Sequence, residues 1–238
     1  MHRHILIVYS EPHLGSKWLA ELASIFRPRP QEWNVQSVAV SLQSRWEEKV
    51  DLHNTYLLVL PQMDEDSRWL SGLSTYEGIV VGNAVLRSLA ELVATAGYVP
   101  KFELYGMNMW PGFQKGRLRE MSRLSSENAP PFEQWFDWNI QWVDDRVGMV
   151  MPRLLAMIIN EAFYTVQEGT ATADAIDTAM KLGTNYPGGP FEWVDKIGLT
   201  RIYRLLERLW EDTRDPRYRL APLMRRQVLQ QILSGSGK

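Results

Sequence analysis

A chain of 238 residues with 45% hydrophobic and 23% charged side chains has material for one large core or two modest ones. Its formal net charge of −2 supplies no basic excess for nucleic acid, and no basic run reads as a membrane-binding patch. The absence of cysteine excludes disulfides, thiolate nucleophiles and cysteine-based metal sites, and fits a cytoplasmic protein.

The first apolar run, Ile5–Tyr9, has strand length and is too short for a signal-peptide core or a membrane span. Further strands are expected at Val35–Val40, Tyr56–Leu60, Gly78–Val81 and Phe102–Tyr105. Helical spacing covers Ser16–Phe26, Asp64–Leu73 and Val85–Ala96. This alternation predicts a parallel sheet covered by helices, because parallel strands need crossover connections. Next, "PFEQWFDWNIQW", Pro131 to Trp142, gathers Phe132, Trp135, Phe136, Trp138 and Trp142 in one short segment. It reads as a short helix packed on the sheet. The alternative has these rings, with Trp110, filling a ligand cleft, since indoles stack on flat ligands.

From about Asp145 the pattern is helical only. Leu154, Leu155, Ile158, Ala162, Phe163 and Val166 form the stripe of an amphipathic helix, which Gly169 is placed to stop. Thr172 is placed to cap the next helix, "ADAIDTAMKL", with Gly183 as its stop. Pro190 suits a first helical turn, and another helix is expected from Thr200 with Ile202, Leu205, Leu206 and Leu209 inside. The expected fold is therefore α/β: a shortened, Rossmann-like doubly wound sheet over residues 1–146, then an all-α domain over 147–238.

Local chemistry is sparse. The first strand runs into "SEPHLGSKWLAEL", a strand–turn–helix layout like that of dinucleotide-binding folds, but with the single glycine Gly15. Glu11 and His13 in that turn read as exposed loop residues, with an acid/base pair as the alternative. Asp144 and Asp145 read as solvated turn carboxylates rather than metal ligands, and no metal site is expected. The terminal "GSGK" reads as tail.

The helical half, "DRVGMVMPRLLAMIINEAFYTVQEGTATADAIDTAMKLGTNYPGGPFEWVDKIGL", Asp145 to Leu199, closely resembles the C-terminal domain of the 3-hydroxyacyl-CoA dehydrogenase family. Family members carry D-R-x-G-F, N-R-L-L, N-E-A, D-I-D-x-A-M, G-x-x-x-P-M-G-P-F and D-x-x-G-L in that order. "DPRYRLAPLMRRQV", Asp215 to Val228, is similar to the family's next segment. The resemblance implies NAD-dependent oxidation of the 3-hydroxyl of an acyl-CoA thioester, in a cleft that the helical domain helps to form. It also implies a homodimer built through the helical domain.

Over the first half the resemblance is weaker and shortened. The family's phosphate-loop glycines fall on Ser10, Pro12 and Gly15, so Gly15 alone remains as a cofactor-binding glycine; Pro12 has no N–H for a phosphate. The ribose-gripping acid falls on Ser41. Only "LQSRWEEKVDLHN" stands where the family carries a long helical excursion that contacts CoA. The S-N-T-S-S motif falls on "GNAVL", keeping Asn83 as a cofactor-binding position and placing Val85 at the catalytic serine. The histidine of H-F-F-N-P falls on Met107 in "MNMWP", and a thioether is no general base at neutral pH. Glu120 in "LREM" is the candidate for the histidine-orienting glutamate, and Pro152 stands at the asparagine of the helical domain. By the same carry-over Met107, Asn108, Trp110 and Pro152 border the substrate cleft. These positions predict a family fold without efficient dehydrogenase chemistry. The alternatives are an active NAD-dependent enzyme with an atypical site and a non-catalytic acyl-CoA binder or dimeric scaffold, with no nucleic-acid or membrane partner.

Overall fold

The computed structural model describes residues 3–10, 16–28, 33–42, 45–124 and 129–234. It divides into two compact units, Met1–Met149 and Val150–Lys238.

Unit 1 is built on β1 (His4–Ser10), β2 (Asn34–Val40), β3 (Thr55–Leu60), β4 (Ile79–Asn83), β5 (Glu103–Met107), β6 (Leu118–Arg123) and β7 (Asn139–Trp142). They form one sheet in the order β2-β1-β3-β4-β5-β6-β7, parallel except where β6 runs against β5. The near-continuous apolar runs of β1 and β3 follow from burial of both sheet faces. Ile5, Ile7, Leu57 and Val59 point into one core, with Trp18 and Leu22 of α1 (Ser16–Ile25) above them. Leu6, Val8, Leu58 and Leu60 point into the other core. There they meet α2 (Arg68–Ser71) and α3 (Leu89–Ala96).

Two expected helices are shorter than their sequence spacing suggests. Of Asp64–Leu73 only Arg68–Ser71 is helical, and of Val85–Ala96 only Leu89–Ala96. The second is delayed because side chains capture its leading N–H groups. Ser88 Oγ accepts from Glu91 N, and the Asp145 carboxylate accepts from Leu89 N at 2.7 Å and Ala90 N at 2.9 Å. Asp145 is thus a helix cap contributed from far along the chain, rather than a solvated turn residue.

The aromatic segment is also more than a short helix. After α4 (Phe132–Phe136), Asp137 turns the chain through a left-handed conformation (φ +59°), and residues 139–142 continue as β7. Its rings do pack on the sheet: Phe136 stacks on Trp138 at 4.6 Å, Phe26 meets Trp138 edge-on at 5.2 Å, and Tyr105 meets Phe132 at 5.1 Å. Trp138 Nε1 donates to Ile25 O, giving its buried indole N–H an acceptor. Trp110, on the segment that follows β5, is buried.

Unit 2 contains α5 (Met151–Gln167), α6 (Ala173–Thr184), α7 (Pro190–Ile197), α8 (Leu199–Thr213) and α9 (Pro222–Leu233). Along α5 the inward face is Leu155, Ala156, Ile159, Ala162 and Phe163, whereas Leu154 is 54% exposed and leaves the expected stripe. Gly169 follows the helix at φ +72°, and Thr172 Oγ1 caps α6 by accepting from Ala175 N. That helix passes through Gly183 and stops at Asn185, which takes the left-handed conformation (φ +55°) that glycine was expected to supply. On α8, Ile202, Leu205, Leu206 and Leu209 are fully buried, as their spacing predicts. Among the described residues no helix is long and apolar enough to cross a membrane.

Two polar side chains tie the unit together. The buried Asp177 carboxylate accepts from Phe191 N at 2.9 Å and Glu192 N at 3.1 Å, capping the start of α7 from α6. A Cβ on Gly189 would fall 2.2 Å from Asp177 Cγ, so the approach requires glycine at that position. The Asn160 side chain donates to Arg219 O and accepts from Ala221 N, both at 2.9 Å, fixing the segment ahead of α9. We expect Asp177→Ala to lower the unfolding free energy by about 2 kcal/mol through loss of this cap, measured by urea denaturation.

Candidate functional site

In a doubly wound sheet, ligands bind beyond the carboxyl ends of the strands, where the strand order reverses. Here the chain passes from β1 outward to β2 and returns to β3 on the other side, so the reversal lies between β1 and β3. The residues leaving β3, β4 and β5 are therefore the ones to inspect.

Directly after β3 the chain reads Pro61-Gln62-Met63-Asp64, and all four residues are buried. Gln62 Oε1 accepts the N–H of Ser10 at 2.7 Å, placing a side-chain amide across the reversal point. Met63 lies flat on β4: a Cβ on Gly82 would fall 2.3 Å from its sulfur. Asp64 Oδ2 accepts from Leu86 N at 2.7 Å and Val85 N at 2.8 Å. The Asn83 amide nitrogen donates to both of its oxygens, at 2.9 and 3.0 Å. In turn, Asn83 Oδ1 accepts from Met109 N at 3.0 Å. One carboxylate therefore binds the ends of β3, β4 and β5 together. Burial pushes the Asp64 carboxyl up to about 7, outweighing the opposing pull of the Leu86, Val85 and Asn83 donors, while Glu65 adds to the rise.

Beyond β5 the backbone is held by its own side chains. Asn108 N donates to Glu120 O, Asn108 Oδ1 accepts from Trp110 N, and Gln114 Nε2 donates to the carbonyls of Asn108 and Trp110. Trp18 Nε1 donates to Met109 O at 2.7 Å. Arg119 is buried on β6, and burial lowers its pKa. Its guanidinium donates to the carbonyls of Leu118, Gln114 and Gly116.

Of the residues singled out in the sequence, Asn83, Met107, Asn108, Trp110 and Glu120 all lie in unit 1 around the ends of β4 and β5 and on β6. Met107 is fully buried within the aromatic-side core, Asn108 and Trp110 are buried, and Glu120 is half-buried. Pro152 is buried in the first turn of α5, in unit 2. Gly15, with Glu11, Pro12 and His13, lies outside the described residues. The described histidines are His4, at the start of β1, and His53, just before β3; both lie at the opposite end of these strands. Among the described residues no group of three or more histidine or carboxylate side chains could hold a metal. Sequence reasoning missed Asp64 and Gln62. Their signal was position: polar residues two and four places beyond a five-residue apolar strand run.

Residues 148–236 match the family described as 3-hydroxyacyl-CoA dehydrogenase, C-terminal domain. Through this half, the chain belongs to the 3-hydroxyacyl-CoA dehydrogenase family. A 3-hydroxyadipyl-CoA dehydrogenase of Escherichia coli is 47% identical over 87 residues, 37% of this chain and 18% of that protein. A probable 3-hydroxybutyryl-CoA dehydrogenase of Deinococcus radiodurans is 41% identical over 174 residues, 68% of this chain and 60% of that protein. This family member thus spans less than two thirds of the length of these relatives. Among solved structures, the (S)-3-hydroxybutyryl-CoA dehydrogenase of Ralstonia eutropha superposes with a TM-score of 0.66 at 23% identity. That match covers 99% of this chain and 95% of that one, a likeness of fold. The Asp177–Gly189 cap and the Asn160 clamp give the family motifs around N-E-A, D-x-A-M and G-P-F their structural reason in this member.

Proposed function

We propose that this family member binds an acyl-CoA or a related thioester without acting as an efficient NAD-dependent dehydrogenase. The observation that carries the reading is the engagement of the strand-end donors by Asp64. Val85 N, Leu86 N and the Asn83 amide all point at this internal carboxylate, so none of them remains to orient a nicotinamide or a substrate oxygen. The residues fit NAD poorly elsewhere as well. Gln62 spans the reversal point, Met63 covers Gly82, and the position of the ribose acid holds the hydroxyl of Ser41. A general base is wanting too, since the strand end carries Met107, Asn108 and Met109 where the family places its histidine. Support for a thioester ligand comes from the family and from the names of its relatives, which act on CoA esters.

Thermal shift against NAD, NADP, CoA and 3-hydroxybutyryl-CoA tests this directly. Ligand at 100 times its dissociation constant stabilises the folded state by about 2.7 kcal/mol, enough to raise the melting temperature by several degrees. A rise with the acyl-CoA and none with NAD is the expected pattern. A rise with NAD would restore the reading as an active dehydrogenase with an atypical site, and no rise with any of the four would leave a scaffold role.

A further inference from the structure

We propose that the half-buried rings of Trp33, Tyr56 and Trp135 form a binding site for a small quaternary ammonium ion, a site that the side chain of Arg3 fills in this structure. The rings come from distant parts of the chain: Trp33 directly precedes β2, Tyr56 lies at the start of β3, and Trp135 is on α4. Arg3 directly precedes β1. Because β1, β2 and β3 are parallel, Arg3, Trp33 and Tyr56 gather at the amino ends of these strands. The site is therefore separate from the carboxyl ends that Asp64 ties together.

The rings wall one another in. Trp33 meets Tyr56 edge-on at 5.5 Å and Trp135 at a tilt at 5.1 Å, and Tyr56 meets Trp135 at 5.8 Å. Behind them, Phe136 packs edge-on against both indoles and Phe132 against Trp135. A cation already rests on all three faces. Arg3 Cζ lies 4.3 Å from the Tyr56 centroid, 5.2 Å from that of Trp33 and 5.7 Å from that of Trp135, inside the distance of about 6 Å at which a ring face attracts positive charge. Among the described residues its guanidinium has no carboxylate partner and no hydrogen-bond acceptor, so ring faces alone hold the charge. Such a cage suits a quaternary ammonium better than the guanidinium itself. Guanidinium carries N–H donors on every nitrogen, which the cage leaves to water, whereas a quaternary ammonium has none to satisfy. Arg3 is exposed, and its backbone is held independently, Asn34 N donating to Arg3 O at 3.1 Å. The side chain can therefore swing away without undoing the start of β1.

Ligand-observed NMR on the methyl protons of choline tests the site, because surrounding ring faces shift those protons on binding. Titrations use the full chain as parent, Arg3→Gln, and Arg3→Gln combined with Trp135→Leu, with Tyr56→Leu or with both, each checked for folding by its melting curve. The uncharged control is the carbon analogue of choline, with a tert-butyl group in place of the trimethylammonium. Arg3→Gln is expected to bind choline saturably and about two- to fivefold more tightly than the parent, the factor for one exposed cation–π contact competing for the cage. Adding Trp135→Leu or Tyr56→Leu should weaken binding by a similar factor, and the uncharged analogue should give no saturable signal. A folded Arg3→Gln chain without saturable choline binding overturns the proposal. So does binding that the uncharged analogue reproduces, or that persists unchanged when Trp135 and Tyr56 are both replaced.

Discussion

Replacing Asp64 by alanine is expected to lower the unfolding free energy by about 3–5 kcal/mol, the range for emptying a buried polar network. The carboxylate is the acceptor for Val85 N, Leu86 N and the Asn83 amide, and alanine leaves those buried donors facing a void. Denaturant titration at fixed pH measures the loss, and a change under about 1 kcal/mol would contradict it. The same residue gives stability a pH signature. The folded carboxyl titrates at about 7, above the ordinary 3.8, because burial disfavours its charge more than its hydrogen bonds favour it. The folded state therefore holds this proton more tightly than the unfolded chain. Its stabilising contribution is complete below about pH 4 and is lost as pH rises through about 7, up to about 4 kcal/mol in all. Asp64→Asn, which cannot ionise, should remove that slope, so the difference in melting temperature between wild type and variant changes steadily from pH 5 to pH 7.5. Parallel profiles would show that Asp64 does not titrate in this window.

The second large effect concerns turnover. With NAD and (S)-3-hydroxybutyryl-CoA, NADH formation is expected to be slower by at least about 10²–10⁴ than for a histidine-bearing relative assayed alongside, the factor for loss of a general base. Met107→His should not recover it. Position 107 is fully buried in the aromatic-side core, so an imidazole there would be desolvated and would lose packing. Single-turnover absorbance at high enzyme concentration separates a slow reaction from none, and turnover matching the relative would refute the proposed function.

Both predictions rest on contacts that differ in how far the sequence announces them. The apolar runs of β1 and β3, the inner face of α8, the cap at Thr172 and the first-turn proline Pro190 were legible, because each is a local pattern whose period or turn chemistry admits few alternatives. Family membership was legible for the same reason: the motifs of the helical half lie in order within one continuous segment. Local pattern failed wherever a distant side chain intervened. β6 and β7 carry mixed polar sequences, LREMSR and NIQW; β6 becomes a strand because β5 offers an edge to pair with, and β7 because β6 then offers the next.

By itself, then, the sequence determined which segments bury a face, the change from alternating to all-helical architecture, and the kinship of the second half. The tertiary structure alone decided the partners. It placed Asp145 at the start of α3 rather than in solvent, let Asn185 rather than Gly183 close α6, and set Asp64 against the ends of β4 and β5. The reason is physical: periodicity reports how a residue faces its own element, whereas a buried carboxylate is satisfied by whichever N–H groups the folded chain brings within about 3 Å, and these lie tens of residues away.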